Sequence, residues 1–264
     1  MRLFEFDDMS YMCLFNIRSD SITVTDLVDC VENIFLELNY PIKKTFYSKN
    51  NRVYSPKSSI IKCIENAQLS NFLGLSFQSD YNKEDFEPNT RLYVDINLRY
   101  VNSKNTIKIS IVVNDKKYLY ELLNTYKLIT KMLINNRRII LSGYSFLIPN
   151  LYNPVSFSIG ILRKPDIPIS LKNLASWYSS SDFINSTVGL VNCISNLTDL
   201  QNQYLKLVFG EDNVFIENRV TVFYNQLLNR MRTVDYLSSS NYNEICDKIE
   251  VEIPFKRLPY HKEL

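Results

Sequence analysis

Residues able to carry acid–base or metal chemistry are few and scattered in this sequence. Histidine, the commonest general acid or base, occurs only as His261, close to the end of the chain, where we interpret it as part of a solvated tail. The cysteines lie far apart without a C-x-x-C pair, at Cys13, Cys30, Cys63, Cys193 and Cys246. Structural zinc sites need closely spaced ligand pairs, so we interpret these cysteines as reduced core thiols and expect no metal site. No catalytic residues are therefore predicted from histidine or cysteine.

Cofactor binding is not predicted either. A phosphate-binding loop needs clustered glycines so that backbone N–H groups can approach the anion. The five glycines of this chain are isolated, and neither G-x-G-x-x-G nor G-K-[ST] occurs. We expect no nucleotide and no other small-molecule cofactor.

Asp95 is the best-placed single acid of the sequence. It lies on a predicted strand beside Asn97 and Arg99, a pattern more typical of a wet sheet face than of a site. Acid–base catalysis requires a carboxyl group whose pKa is raised by burial. An enzyme of unrecognised class that uses carboxylates such as Asp95 stays open as an alternative to a non-enzymatic protein.

Composition and charge exclude several classes of protein. Of 264 residues, 45% are apolar, and 30 basic residues face 28 acidic ones, which excludes intrinsic disorder. A nucleic-acid surface would be markedly basic, so we expect no nucleic-acid partner. No run of about 18 apolar residues occurs, so no membrane partner is expected. The acidic N-terminal stretch lacks the pattern of an export signal, and we expect a cytoplasmic protein.

Two aromatic segments are the predicted partner-binding residues. Trp177 and Tyr178 lie in a segment with prolines, and Trp and Tyr are enriched at the energetic centres of protein interfaces. The alternative is that Trp177 caps the core. The second segment is an acidic loop with two aromatic residues, namely Asp80, Tyr81, Glu84, Asp85, Phe86 and Glu87.

The elements that would position these residues are predicted from hydrophobic periodicity. Residues 11–18 form an apolar run typical of a buried strand, and Thr23 precedes an amphipathic helix. Residues 92–100 and 107–113 alternate apolar and polar side chains, which indicates an antiparallel hairpin. A second helix is predicted after Asp115. This order predicts an α+β fold: a mainly antiparallel twisted sheet with amphipathic helices packed on one face, the other face being partly wet.

The C-terminal part is predicted as a helical and strand appendage. Helices are expected at residues 199–208 and 220–232, and a final strand at 249–255. We therefore divide the chain into an α+β core, 1–197, and a C-terminal extension, 198–264. Whether this extension is separate or part of the same domain is left open.

The order of elements resembles that of a known family. The matching stretches are YMCLFNIR with its helix, TFYSKNNRVYS, FLGLSFQ, the 92–113 hairpin, VSFSIGIL and GLVNCIS. On these, residues 11–197 resemble bacterial toxin-immunity proteins of the type catalogued as immunity protein fifty-two. The resemblance implies a cytoplasmic, non-enzymatic protein that binds one cognate toxin and blocks it by occlusion. The toxin would be delivered by a contact-dependent system such as type VI secretion.

A different class of function stays open beside this one. Chains rich in Tyr and Asn without catalytic motifs also serve as structural or assembly components of phage or secretion-system complexes. Both hypotheses, the immunity protein and the assembly component, predict a protein partner rather than a substrate.

Overall fold

The computed structural model describes residues 9–20, 22–49, 52–55, 71–79, 91–99, 101–115, 121–135, 140–149, 189–225 and 240–253. The chain divides into two compact units. One unit is Ser10–Leu141, and the other combines Met1–Met9 with Ser142–Leu264. We call them the N-terminal and the C-terminal unit and describe each by itself.

The N-terminal unit is built on an antiparallel sheet with the strand order β3-β2-β4-β5-β6-β1. Its described elements are β1 Met9–Arg18, α1 Val24–Glu37, β2 Lys44–Lys49, β3 Arg52–Tyr54, β4 Gly74–Gln78, β5 Leu92–Asn97, α2 Val101–Lys104, β6 Thr106–Val113 and α3 Leu122–Asn135.

Helix α1 begins where the sequence predicts it. The Thr23 hydroxyl accepts from the backbone N–H of Asp26, and the Asp26 carboxylate accepts from the backbone N–H of Thr23. This capping box satisfies two donors that a helix start would otherwise leave without partners. The predicted apolar face is buried, at Val24, Leu27, Val28, Val31, Ile34, Phe35 and Leu38.

One face of the N-terminal sheet is apolar and packs against a helix. The register places Phe15, Ile109 and Ile96 in one row across three strands. The ring of Phe15 stacks on Tyr126 of α3 at 5.0 Å between centroids. Helices α1 and α3 also contact each other. This face therefore forms the core of the unit.

The opposite face of the sheet is buried on β6 and half-buried on β4 and β5, at Ser76, Asp95 and Asn97. All eight residues of β6 are buried, including Ser110 and Lys108, which is only 4% exposed. Alternation in a sequence separates two faces but does not say whether the polar face is covered. Because β6 is buried on both faces, the sheet is covered on both sides there, and the prediction of helices packed on one face is wrong. The α+β composition with a mainly antiparallel sheet is observed.

The C-terminal unit contains a second run of antiparallel strands in the order β7-β8-β10-β9. Its described elements are β7 Ile140–Pro149, which begins two residues before the unit, β8 Val191–Ser195, α4 Asp199–Phe209, a 3-10 turn at Glu211–Asn213, β9 Val214–Glu217, β10 Val220–Tyr224 and α5 Ser240–Glu250.

Two C-terminal elements differ from the prediction. The expected helix at 220–232 begins instead as strand β10, all five residues of which are buried between β8 and β9. The expected final strand at 249–255 is also wrong over its described part, since Ile249 lies in the last turn of α5. Because β10 pairs directly with β8, residues 214–224 belong to this sheet and are not an appendage to it.

Within the described part of the chain, no helix is both long enough and apolar enough to cross a membrane.

Candidate functional site

The predicted partner-binding residues lie outside the described residues. This holds for Trp177 and Tyr178 and for the whole acidic loop of Asp80, Tyr81, Glu84, Asp85, Phe86 and Glu87. His261, interpreted as part of a solvated tail, also lies outside. Of the cysteines, Cys13, Cys30, Cys193 and Cys246 are buried thiols, as the core interpretation predicts, and Cys63 lies outside. Among the described ranges, no group of three or more His, Cys, Asp or Glu side chains could hold a metal ion.

Asp95 is the one predicted acid whose surroundings the structure describes. It lies on β5, opposite Ser76 of β4 on one side and Ser110 of β6 on the other. The Ser76 hydroxyl donates a 2.7 Å hydrogen bond to its Oδ1. Burial raises the pKa of Asp95 to about 6, because loss of solvent outweighs this hydrogen bond and the attraction of Arg99. The carboxyl group is therefore only partly ionised just below neutral pH.

Two neighbouring polar rows cross this sheet, and Asp95 lies in the first of them with Ser76 and Ser110. Asn97, Lys108 and Asn16 follow one another across β5, β6 and β1, two residues along from Asp95 and Ser110. Lys108 and Asn16 are buried, at 4% and 1% exposure. A buried polar row of this kind can specify strand register without binding any ligand.

A different surface, at the edge of the same sheet, presents residues to solvent. Among the described strands, β3 ends the strand order, and each of its residues is exposed, Val53 at 72%. The ring of Tyr54 stacks on Tyr47 of β2 at 5.0 Å, and Tyr47 packs edge-on against Phe72 at 5.8 Å. These contacts fix the aromatic side chains of the edge in place. We call Arg52, Val53 and Tyr54 the edge surface.

The edge surface has the composition of a protein-binding site. Tyr and Arg are the side chains most often found at the energetic centre of interfaces. A terminal strand also offers backbone N–H and C=O groups on its outer side, to which an extended segment of another protein can add. Strands β2 and β3 carry Lys44, Lys49 and Arg52 and no acid, so the surface is basic.

The sequence analysis did not predict the hairpin formed by β2 and β3, which carries the edge surface. Residues 43–70 lack the long run of periodically spaced apolar residues from which a helix or strand is predicted. The signal was nevertheless present, since the segments KTFYSK and RVY flank the turn-forming pair Asn50–Asn51.

Comparisons with known proteins give a likeness in fold only. No family model matches the chain, and no curated protein is significantly similar to it in sequence. Among solved structures, the Pseudomonas aeruginosa T6SS protein PA0821 is similar, with a TM-score of 0.53 and 9% identity over 82% of this chain. The chain covers 65% of that protein's length.

Proposed function

We propose that this chain is a non-enzymatic, cytoplasmic immunity protein that binds a cognate toxin of a contact-dependent secretion system and blocks it by occlusion. The observation that carries the proposal is the exposed edge surface of Arg52, Val53 and Tyr54. Its setting is supported by the similarity in fold to a protein of the T6SS, the type VI secretion system. The resemblance of residues 11–197 to immunity protein fifty-two agrees with the same setting.

The edge surface supports binding in two physical ways. The apolar side chains of Val53 and Tyr54 would leave water on contact, and Tyr54 is already held by its stack on Tyr47. Less side-chain entropy is then lost when the toxin binds. An extended toxin segment placed beside β3 would add main-chain hydrogen bonds to this contact.

Charge defines the kind of toxin surface that fits. Lys49 and Arg52 lie opposite each other across β2 and β3, with no acid on either strand. The toxin surface should therefore be acidic around an apolar centre. Opposite charges of this kind mainly raise the association rate, and salt weakens them.

The experiment is co-expression with a candidate toxin, namely the product of the reading frame next to that of this chain, with growth as the measurement. The wild-type chain should restore growth and co-purify with the toxin. Val53→Asp combined with Tyr54→Asp should abolish both effects. Leu36→Asp is the matched control, because Leu36 is an equally exposed apolar residue on α1, at 75% exposure. Protection by the double variant would reject the edge surface, and failure of the wild-type chain to bind would reject the immunity function.

The same purification distinguishes an immunity protein from the alternative, a structural or assembly component. A structural component of a phage or secretion apparatus would co-purify with several copies of apparatus proteins and would leave toxin-inhibited growth unchanged. Arg52→Glu should lower the association rate most at low salt if the toxin is the partner.

A further inference from the structure

Helix α4 of the C-terminal unit has an apolar stripe on its outer side. Leu200 and Leu207 are seven residues apart and therefore lie on one side of the helix, two turns from each other. They are 67% and 83% exposed. The inner side of α4 is occupied, since Leu205 is buried and Phe209 stacks on Phe223 of β10 at 5.1 Å.

Helix α5 does not cover this stripe. It is held against the neighbouring side of α4, where the Tyr204 hydroxyl donates to the carbonyl of Lys248 at 2.5 Å. The Gln201 side chain donates to the carbonyl of Glu252 at 2.8 Å. We call Leu200 and Leu207 the leucine surface.

The charges beside the stripe are complementary to those of a second, antiparallel copy of the same helix. Asp199 and Lys206 are also seven residues apart and share one side of α4, next to the leucines. When two such helices lie antiparallel about a two-fold axis, Leu200 of one copy meets Leu207 of the partner subunit. In the same arrangement Asp199 lies beside Lys206 of the partner subunit, and the pair occurs twice.

We propose that the leucine surface is a two-fold contact through which two copies of this chain associate by antiparallel packing of their α4 helices. The occupant is a second copy because the helix supplies both halves of each apolar and each charged pair. A single helix-to-helix contact buries less area than a standard stable interface, so the association is weak and depends on concentration. This inference is independent of the toxin-binding function, which uses the edge surface of the other unit.

Sedimentation velocity of the purified full-length chain over a range of concentrations tests the proposal. The wild-type protein should shift from monomer to dimer as its concentration rises. Leu200→Glu and Leu207→Glu should each raise the dissociation constant at least tenfold, while Leu36→Glu should leave it unchanged. A monomer at every concentration, or a dimer that both leucine variants retain, would overturn the proposal.

A charge-exchange experiment identifies the antiparallel arrangement. Asp199→Lys places like charges at both pairs of the homodimer, and so does Lys206→Asp, so each variant alone should be monomeric. Mixing the two variants restores opposite charges at both pairs and should restore the dimer as a heterodimer. Circular dichroism checks that each variant is folded. Mixing without recovery, or loss of toxin binding rather than of the dimer, would show that α4 contacts something other than a second copy.

Discussion

Ser76 and Asp95 face each other across the antiparallel pair of β4 and β5, and the serine hydroxyl donates to the carboxylate at 2.7 Å. This bond favours the ionised form of Asp95, as does Arg99, yet burial of the carboxyl has the larger effect and raises its pKa to about 6. The folded protein therefore ionises Asp95 at a cost in stability. That cost can be measured.

Asp95→Asn should stabilise the protein at neutral pH. The unfolded chain loses this proton near pH 3.8 and the folded chain near pH 6. The contribution of Asp95 to the free energy of unfolding is therefore most favourable below the lower pKa, falls as pH rises between the two, and stays low above the higher one. The difference between the two pKa values corresponds to at most about 3 kcal/mol. Urea unfolding at pH 7.5 and at pH 3.5 should show a gain from the variant only at pH 7.5.

The same variant bears on the enzymatic alternative. Asn retains an oxygen that accepts from Ser76 but cannot exchange a proton. The proposed immunity function predicts that Asp95→Asn protects cells as well as wild type does. A variant that is more stable but inactive would favour a role for Asp95 in catalysis, and a loss of stability at pH 7.5 would show that its charge is compensated.

Gly189→Ala should destabilise the C-terminal unit. A Cβ at this position would lie 2.5 Å from the carbonyl oxygen of Ser145, which is backbone of β7 and accepts from Leu190. The strand must move to admit a methyl group, and we expect a loss of about 1–3 kcal/mol, typical of overpacking. Thermal unfolding measures it. Gly74→Ala is the comparison, with a contact of 3.0 Å to the carbonyl of Ile96, and should cost less.

Thr221→Val should lower the free energy of unfolding, because it removes a buried hydrogen bond between β10 and α4. The Thr221 hydroxyl donates to Oδ1 of Asn202 at 2.6 Å, and both residues are buried. Valine keeps the shape but removes the donor, so the amide oxygen of Asn202 loses this partner, at a cost of about 1–3 kcal/mol. Denaturant unfolding of Thr221→Val, Asn202→Leu and the double variant forms a cycle. The double variant should lose less free energy of unfolding than the two single variants lose together. If the two losses simply add, Thr221 and Asn202 are not coupled.

The two helix caps should each contribute about 1 kcal/mol, the usual value for a Thr cap. Thr23 begins α1, and Thr198 begins α4 with Gln201 as its capping-box partner. Thr23→Ala and Thr198→Ala should lower the free energy of unfolding, and the matched Thr→Ser changes should not. Equal effects of Ala and Ser would mean that the hydroxyl groups do not act as caps.

Elements whose signals are local were predicted from the sequence. Helix α1 follows from Thr23 and apolar residues spaced three and four apart, and strands β5 and β6 follow from strict alternation. Helix α4 was placed within a residue of its observed end. Each of these signals depends on neighbours in the chain, so no knowledge of distant contacts is required.

Strand β10 shows where local signals fail. The segment that starts at Val220 has apolar residues compatible with either a helix or a buried strand, because Thr221 alone interrupts the apolar run VTVFY. Pairing with β8 and β9 decides in favour of the strand. A two-residue turn at Asn218 and Arg219, both with positive φ, closes the β9–β10 hairpin.

By itself, the sequence determined the α+β composition, the apolar face of the N-terminal sheet and the starts of α1 and α4, because periodicity and capping act within a few residues. Only the tertiary structure decided that Lys108 and Ser110 are buried, that Asp95 is held at a pKa near neutrality, and that Val53 and Leu207 stay exposed. The solvent exposure of a side chain is set by what packs on it from distant parts of the chain, and no local pattern carries that information.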